Sequence, residues 1–201
     1  MVGSHESLCM SIALQNFPEQ LSPTLMKKGG VGIGPLMSQD VAPLFVWIND
    51  VESIGQDFAY RPTDKTAFAT WLNAFAGDPT RVMFVIRVAG SPDAAGFLVL
   101  SNIQPVHRST ELGIRVGRES DRGRGIGNAA LSLALDFAWD HLNLVRVQLR
   151  VLADNARAIK AYEASGFALE GCHANAAYIG GRWHDMLTMA AFNPRERAAK
   201  A

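Results

Sequence analysis

Apolar residues recur along this chain in two periods, alternate positions in some stretches and intervals of three and four in others, and the switches between them mark the predicted elements. "GVGIGPLMSQDVAPLFVWIND" (30–50) opens as a short strand, after which Ser38 reads as the cap of a helix with apolar positions Val41, Leu44, Phe45 and Ile48. "PTDKTAFATWLNAFAG" (62–77) predicts a second helix, capped by Thr63 or Asp64, striped by Phe68, Trp71, Leu72 and Phe75, and ended by Gly77. Three strand-like runs follow, "RVMFVIRVAG", "AAGFLVLSNI" and "TELGIRVG", spaced as consecutive antiparallel neighbours. A glycine-rich turn leads into the helix "ALSLALDFAW"; then come the strand "NLVRVQLRVL", a short helix "NARAIKAYEASG" and two strands joined across Gly180-Gly181. The order βαα, βββ, α, β, α, ββ predicts one mixed α/β sheet of about seven mostly antiparallel strands flanked by helices, with no internal repeat.

Composition narrows the function. A chain of 201 residues, 48% hydrophobic, can bury one sizeable core, so one globular domain is expected over residues 28–192, with an N-terminal extension of unknown role (1–27) and a C-terminal tail (193–201). Lys plus Arg and Asp plus Glu each number 19, leaving no global field to favour nucleic acid or an anionic membrane. Cys9 and Cys172 stand far apart without a CxxC or Cys/His pairing, which indicates neither a disulfide framework nor a metal site and fits a reducing cytoplasm. No apolar run reaches membrane-spanning length and no signal-peptide pattern opens the chain. A monomer or homodimer with neither nucleic-acid nor membrane partners is the expectation.

The chemistry concentrates in "DRGRGIGNAALSLALDFAW" (121–139). A helix start leaves its first N–H groups without partners, glycine lets a phosphate approach them, and Arg122 and Arg124 alternate with Gly123, Gly125 and Gly127 to add guanidinium donors. A pyrophosphate is the natural ligand; a tight strand-to-helix turn is the plainer alternative. The Walker pattern is absent. Gly125 to Ala130 satisfies the looser dinucleotide form G-x-G-x-x-A, yet "RESDR" separates it from the preceding strand and Asp154 lies farther on than a ribose-binding acid should, so a dinucleotide-dependent oxidoreductase is a lesser alternative.

These residues resemble the GNAT superfamily of acetyl-CoA-dependent N-acetyltransferases. The family's [QR]-x-x-G-x-[GA] pyrophosphate loop is matched by Arg122, Gly125 and Gly127; "ELGIRV" (111–116) is similar to its fourth strand, and "NARAIKAYEASGF" (155–167) to its Asn-cap, tyrosine and G-F segment. "YIGGRWHDMLTMA" and "WINDVE" resemble its RimJ/RimL-like branch, although "GVGIGPL" departs from that branch's first strand. The resemblance spans residues 30 to 192 and implies a GNAT-like fold, acetyl-CoA as acyl-donor co-substrate without a metal, and transfer to a primary amine in a ternary complex. The acceptor class stays open between a small amine or polyamine, an amino sugar, an aminoglycoside and a protein N-terminus. A non-catalytic acyl-CoA sensor is the alternative.

The resemblance also implies roles. The fourth strand splays from the fifth, so the backbone of Ile114, Arg115 and Val116 would bind the pantetheine arm and thioester carbonyl. Arg122, Gly123, Arg124, Gly125, Ile126 and Gly127 would hold the pyrophosphate, and Asn155 would begin the next helix and meet the pantetheine. Tyr162, two helical turns beyond Asn155, projects to the same side and could protonate the departing thiolate, or else be a core aromatic. Glu111, sharing a strand face with Gly113, could take the amine's proton, or be a solvated strand residue. Trp47, Phe58 and Tyr178 are the candidate acceptor-binding aromatics, with Asp50, Glu52, Asp57 and Asp185 near the rim; His107, His173 and His184 read as hydrogen-bonding or surface residues.

Overall fold

A computed structural model describes residues 24–50 and 61–198. Its strands are β1 (Met26–Lys28), β2 (Val31–Gly34), β3 (Val82–Val88), β4 (Ala94–Gln104), β5 (Ser109–Val116), β6 (Arg146–Leu152), β7 (Ala168–Ile179) and β8 (Arg182–Phe192). The helices are α1 (Val41–Asn49), α2 (Lys65–Asn73), α3 (Ile126–Asp140), α4 (Ala156–Ala164) and α5 (Pro194–Ala198). The strands form one sheet in the order β1-β2-β3-β4-β5-β6-β8-β7. Every pairing is antiparallel except β5 with β6, whose connection through α3 is the crossover that parallel neighbours require.

The sheet thus has eight strands where the sequence predicts about seven. The additional strand, β1, lies partly inside the expected N-terminal extension: Met26 aligns with Ile33 and Lys28 with Val31, and Lys28 Nζ donates to Ser132 Oγ on α3 at 2.6 Å. Three residues carry too little periodicity to be read as a strand alone; pairing across the Gly29-Gly30 turn, both at positive φ, makes them one. At the other end the expected tail begins as a docked helix. Asn193 donates its backbone N–H to Val145 O at 3.0 Å and accepts from Arg195 N at 3.1 Å.

Both sheet faces are covered by apolar side chains. Phe84, Ile86, Leu98, Leu100, Leu112, Val147 and Leu149 meet Ile126, Ala130, Leu131, Ala134 and Ala138 of α3 in the main core. On the opposite face Val85 and Ala94 meet Leu44 and Trp47 of α1 and Phe68 of α2. Ser38 does not cap α1 as its sequence position suggests. Residues Ser38–Asp40 form a 3-10 turn, and Asp40, fully buried, accepts from Met37 N at 2.8 Å and forms an ion pair with the buried Arg87. Asp64 does cap α2, accepting from Ala67 N at 2.8 Å. This helix stops at Asn73, short of Gly77, and the chain reaches Gly77 through turns while Phe75 packs edge-on against Trp71. The two helices are tied together by Asn49, whose amide donates to Thr63 O at 3.0 Å and accepts from Thr63 N at 2.9 Å. No helix among the described residues is long and apolar enough to cross a membrane.

Candidate active site

Because β5 and β6 run parallel, their carboxyl ends lie at the same end of the sheet, and so do the starts of the helices that follow each. That is where ligands settle in open α/β sheets. Pairing of β5 with β6 covers Ser109, Thr110 and Glu111 against Arg146, Val147 and Gln148, and goes no further. Beyond it the strands diverge. Gly117 N donates to Ala95 O at 2.8 Å, so by alternation the backbone groups of Arg115 and Gly113 face β4, while those of Ile114 and Val116 face the gap that β6 has left. Of the three strand-end residues predicted to meet a cofactor, Ile114 and Val116 therefore turn their backbone to the gap. Arg115 turns its backbone to β4, and its side chain donates from Nη1 to Trp47 O at 3.0 Å.

The loop between β5 and α3 is built for backbone exposure. Gly123 and Gly125 have φ of 75° and 77°, left-handed values that a Cβ opposes, and no heavy atom lies within 4 Å of where either Cβ would stand. Gly125 is the N-cap of α3 and offers no side chain to its N–H groups; the first helical bond runs from Ala129 N to Gly125 O at 3.0 Å. The N–H groups of Ile126, Gly127 and Asn128 are therefore donors that the helix cannot use. Gly127 differs from its neighbours, since its φ is ordinary and a Cβ there would only touch Val116 Cγ2 at 3.6 Å. Arg124, largely exposed, is held by Asp121 at 3.1 Å. Arg122 closes the 3-10 turn Glu119–Asp121 by donating its N–H to Glu119 O at 3.0 Å. A cradle of bare backbone, spare helix-start donors and two arginines suits a pyrophosphate, and the divergent strand end beside it suits an extended amide chain, so the residues fit acetyl-CoA.

The next helix start completes this end of the sheet. Asn155 caps α4 by accepting from Ala158 N at 3.1 Å, as its sequence position predicts. Tyr162 is half-buried, with its ring 5.9 Å from Phe167 and packed against the main core, so the ring serves packing whatever its hydroxyl does. Asp154, the residue before the cap, is gripped by the β7–β8 hairpin. Arg182 Nε and Ile179 O lie 3.1 and 3.3 Å from His184 Nε2, and Asp154 Oδ2 lies 2.9 Å from its Nδ1. Asp154, Arg182, Trp183, His184 and Asp185 line an open groove there, beside Tyr178, which is 54% exposed and has its ring 5.2 Å from that of Trp183. His184 is thus a hydrogen-bonding residue, as expected, though one that fixes the hairpin to the start of α4. The hairpin turns as predicted through Gly180 and Gly181, both at positive φ.

Glu111 is half-buried on the face opposite Leu112, which enters the main core, and its Oε1 accepts from Gln148 Nε2 at 3.1 Å. Gln148 carries no motif, and only strand register reveals it. Trp47 is 8% exposed and embedded between Leu44, Phe68 and Gly117, so it backs the end of β5 from within the core instead of standing open as an acceptor wall. Phe58, with Glu52 and Asp57, lies outside the described residues. No group of three or more His, Cys, Asp or Glu among the described residues could hold a metal ion.

Residues 31–168 match the family model of the acetyltransferase (GNAT) domain. The chain is 32% identical over 117 residues to the spermidine N(1)-acetyltransferase of Vibrio cholerae, an alignment covering 58% of this chain and 66% of that protein. It is 26% identical over 163 residues to a putative ribosomal N-acetyltransferase of Bacillus subtilis, covering 81% and 85%. The matches to the spermidine N(1)-acetyltransferases of Vibrio cholerae and Escherichia coli K12 span only 66% and 60% of those relatives' lengths. Among solved structures, that of Vibrio cholerae spermidine N-acetyltransferase in complex with CoA and spermine superposes with a TM-score of 0.76 at 24% identity, covering 82% of this chain and 96% of that one. At that identity the likeness is one of fold.

Proposed function

Since the chain belongs to the GNAT acetyltransferase family, we propose that it transfers an acetyl group from acetyl-CoA to a primary amine, and that the acceptor is a small cationic amine of the polyamine class. The observation that carries the reading is the divergence of β5 from β6 immediately after Glu111 and Gln148, with two helix starts at the same end of the sheet. Similarity to spermidine acetyltransferases supports the acceptor class, as do the carboxylate of Glu111 where β5 and β6 diverge and those of Asp154 and Asp185 in the open groove. The W-x-N-D helix end, which here supplies the Asn49 clamp, and the Gly180-Gly181 hairpin support a place in the RimJ/RimL-like branch.

Acetyl-CoA, when bound, supplies an activated acyl carbon and a thiolate leaving group. The N–H groups of Ile126, Gly127 and Asn128, with Arg122 and Arg124, hold its pyrophosphate. The backbone of Ile114 and Val116 binds the pantetheine as an added strand would and donates to the thioester carbonyl, where negative charge develops. Asn155, rigid in its cap, orients the arm. Glu111 takes a proton from the acceptor's ammonium, directly or through water, to give the neutral amine that attacks. Tyr162 gives a proton to the sulfur as the carbon–sulfur bond breaks, and the second proton that the nitrogen sheds in becoming an amide restores the phenol.

The test is a thiol-release assay with acetyl-CoA against spermidine, spermine, an aminoglycoside and a ribosomal N-terminal peptide. Turnover with the polyamines and little with the peptide supports the reading. Turnover with the peptide alone replaces the acceptor class, and tight acetyl-CoA binding without turnover of any amine would make the chain a sensor.

A further inference from the structure

A hydrogen-bond chain runs over three strands on the sheet face that carries Glu111. Alternation on β6 sends Val147, Leu149 and Val151 into the core and leaves Arg146, Gln148 and Arg150 on the other face. Gln148 is aligned with Glu111 at the last β5–β6 pair and donates to it at 3.1 Å. A glutamine amide can sit either way round, and reversed it would set oxygen against the carboxylate. Arg146 decides the sense, because its Nη2 donates to Gln148 Oε1 at 3.1 Å and so commits the Gln148 NH2 group to Glu111. The guanidinium of Arg146 is locked in turn. It donates from Nη1 and Nη2 to the two carboxylate oxygens of Glu170 at 2.6 and 2.5 Å and lies 5.4 Å from the centre of the Phe192 ring. Glu170 reaches it as the extra residue of a bulge, since Leu169 aligns with Met189 and Gly171 with Thr188.

We propose that Gln148 is a positioning residue for acetyl transfer: oriented by Arg146 and Glu170, it fixes the Glu111 carboxylate through Oε1 and so presents Oε2 to the amine of the acceptor. This rests on the reading of Glu111 as proton acceptor. A carboxylate held by one oxygen keeps a single rotamer, and proton transfer in a ternary complex depends on that geometry more than on affinity. The bulge at Glu170, at the end of edge strand β7 opposite the hairpin, thereby acquires a part in catalysis.

The experiment measures kcat and the Michaelis constants, with the best acceptor amine of the panel, for the wild type, Glu111→Gln, Gln148→Leu, Glu170→Gln and the two double variants that include Glu111→Gln. Gln148→Leu is expected to lower kcat about 10- to 100-fold with the acetyl-CoA Michaelis constant within about twofold of wild type. Glu170→Gln, on the edge strand, should lower kcat a few-fold, with an unchanged circular dichroism spectrum at the assay temperature as the check that it is folded. Both effects should vanish in the Glu111→Gln background, because residues that act through Glu111 have nothing to act on once it is neutral. Losses that multiply with that of Glu111→Gln, or a wild-type kcat in Gln148→Leu beside an inactive Glu111→Gln, overturn the proposal and leave Glu111 as the proton acceptor. A wild-type kcat in Glu111→Gln overturns both.

Discussion

The indole of Trp47 closes over Gly117 so tightly that a Cβ at position 117 would stand 2.2 Å from Trp47 Cε2. The same residue's carbonyl accepts from Arg115 Nη1 at 3.0 Å. Ring on backbone and carbonyl on guanidinium together fasten the last turn of α1 to the carboxyl end of β5. Gly117→Ala is therefore expected to push α1 away from the strand, costing about 1–3 kcal/mol as overpacking does and lowering the melting temperature by several degrees. Thermal unfolding checks the stability, and a raised Michaelis constant for the acceptor would show that α1 shapes its approach. An unchanged melting temperature would mean that Trp47 has room to move.

The glycines at the start of α3 separate backbone strain from ligand approach. Gly125 sits at φ 77° with empty space around a Cβ, so Gly125→Ala suffers from conformation alone, about 1–2 kcal/mol for a left-handed residue. Gly127 has ordinary φ and only Val116 Cγ2 at 3.6 Å, so Gly127→Ala should fold with its stability intact. If a phosphate comes down on this helix start, Gly127→Ala should nevertheless weaken acetyl-CoA, measured by calorimetry, at least tenfold. Full affinity in Gly127→Ala would move the pyrophosphate elsewhere.

Features that depend on neighbouring residues were legible in the sequence. Asp64 and Asn155 cap their helices because a short polar side chain just before an apolar-periodic run has its N–H partner three residues on. Features decided by distant pairing were not. Ser38 has the chemistry of a cap, yet Asp40 takes the Met37 N–H because Arg87, across the sheet, pairs with it. Gln148 sits in an alternating strand like any other polar residue, and only the parallel register sets it beside Glu111. Trp47 reads as a pocket aromatic until the approach of Gly117 shows it enclosed.

The Glu170–Arg146 pair should leave a mark on stability against pH. Hydrogen bonds from Arg146, with its charge, hold the Glu170 carboxyl below its ordinary value of about 4.5 despite some opposing burial. A depressed carboxylate contributes stability that is fully present above the unfolded value and is lost as pH falls through the folded one. The melting temperature of wild type is thus expected to exceed that of Glu170→Gln by a constant few degrees from pH 6 to 8, and the gap should shrink below about pH 4.5. A gap that is the same at pH 3 and pH 7 would show that the charge of Glu170 is not what stabilises the edge.

Tyr162 packs its ring against Phe167 at a centroid distance of 5.9 Å and joins the main core beside Ile159, contacts that phenylalanine would reproduce. Removing the hydroxyl therefore leaves the packing in place and costs about 1 kcal/mol of stability for whatever hydrogen bond the oxygen makes. Its catalytic effect should be larger. If the phenol protonates the departing thiolate, it acts in the transition state and hardly at all in binding, so Tyr162→Phe should lower kcat about 10- to 1,000-fold with little change in the Michaelis constant for acetyl-CoA. The loss should also depend on the leaving group, because an acyl donor whose thiolate is more stable needs the proton less. A thioester of a more acidic thiol should then narrow the difference between wild type and Tyr162→Phe, while a purely structural tyrosine would give the same ratio with both donors.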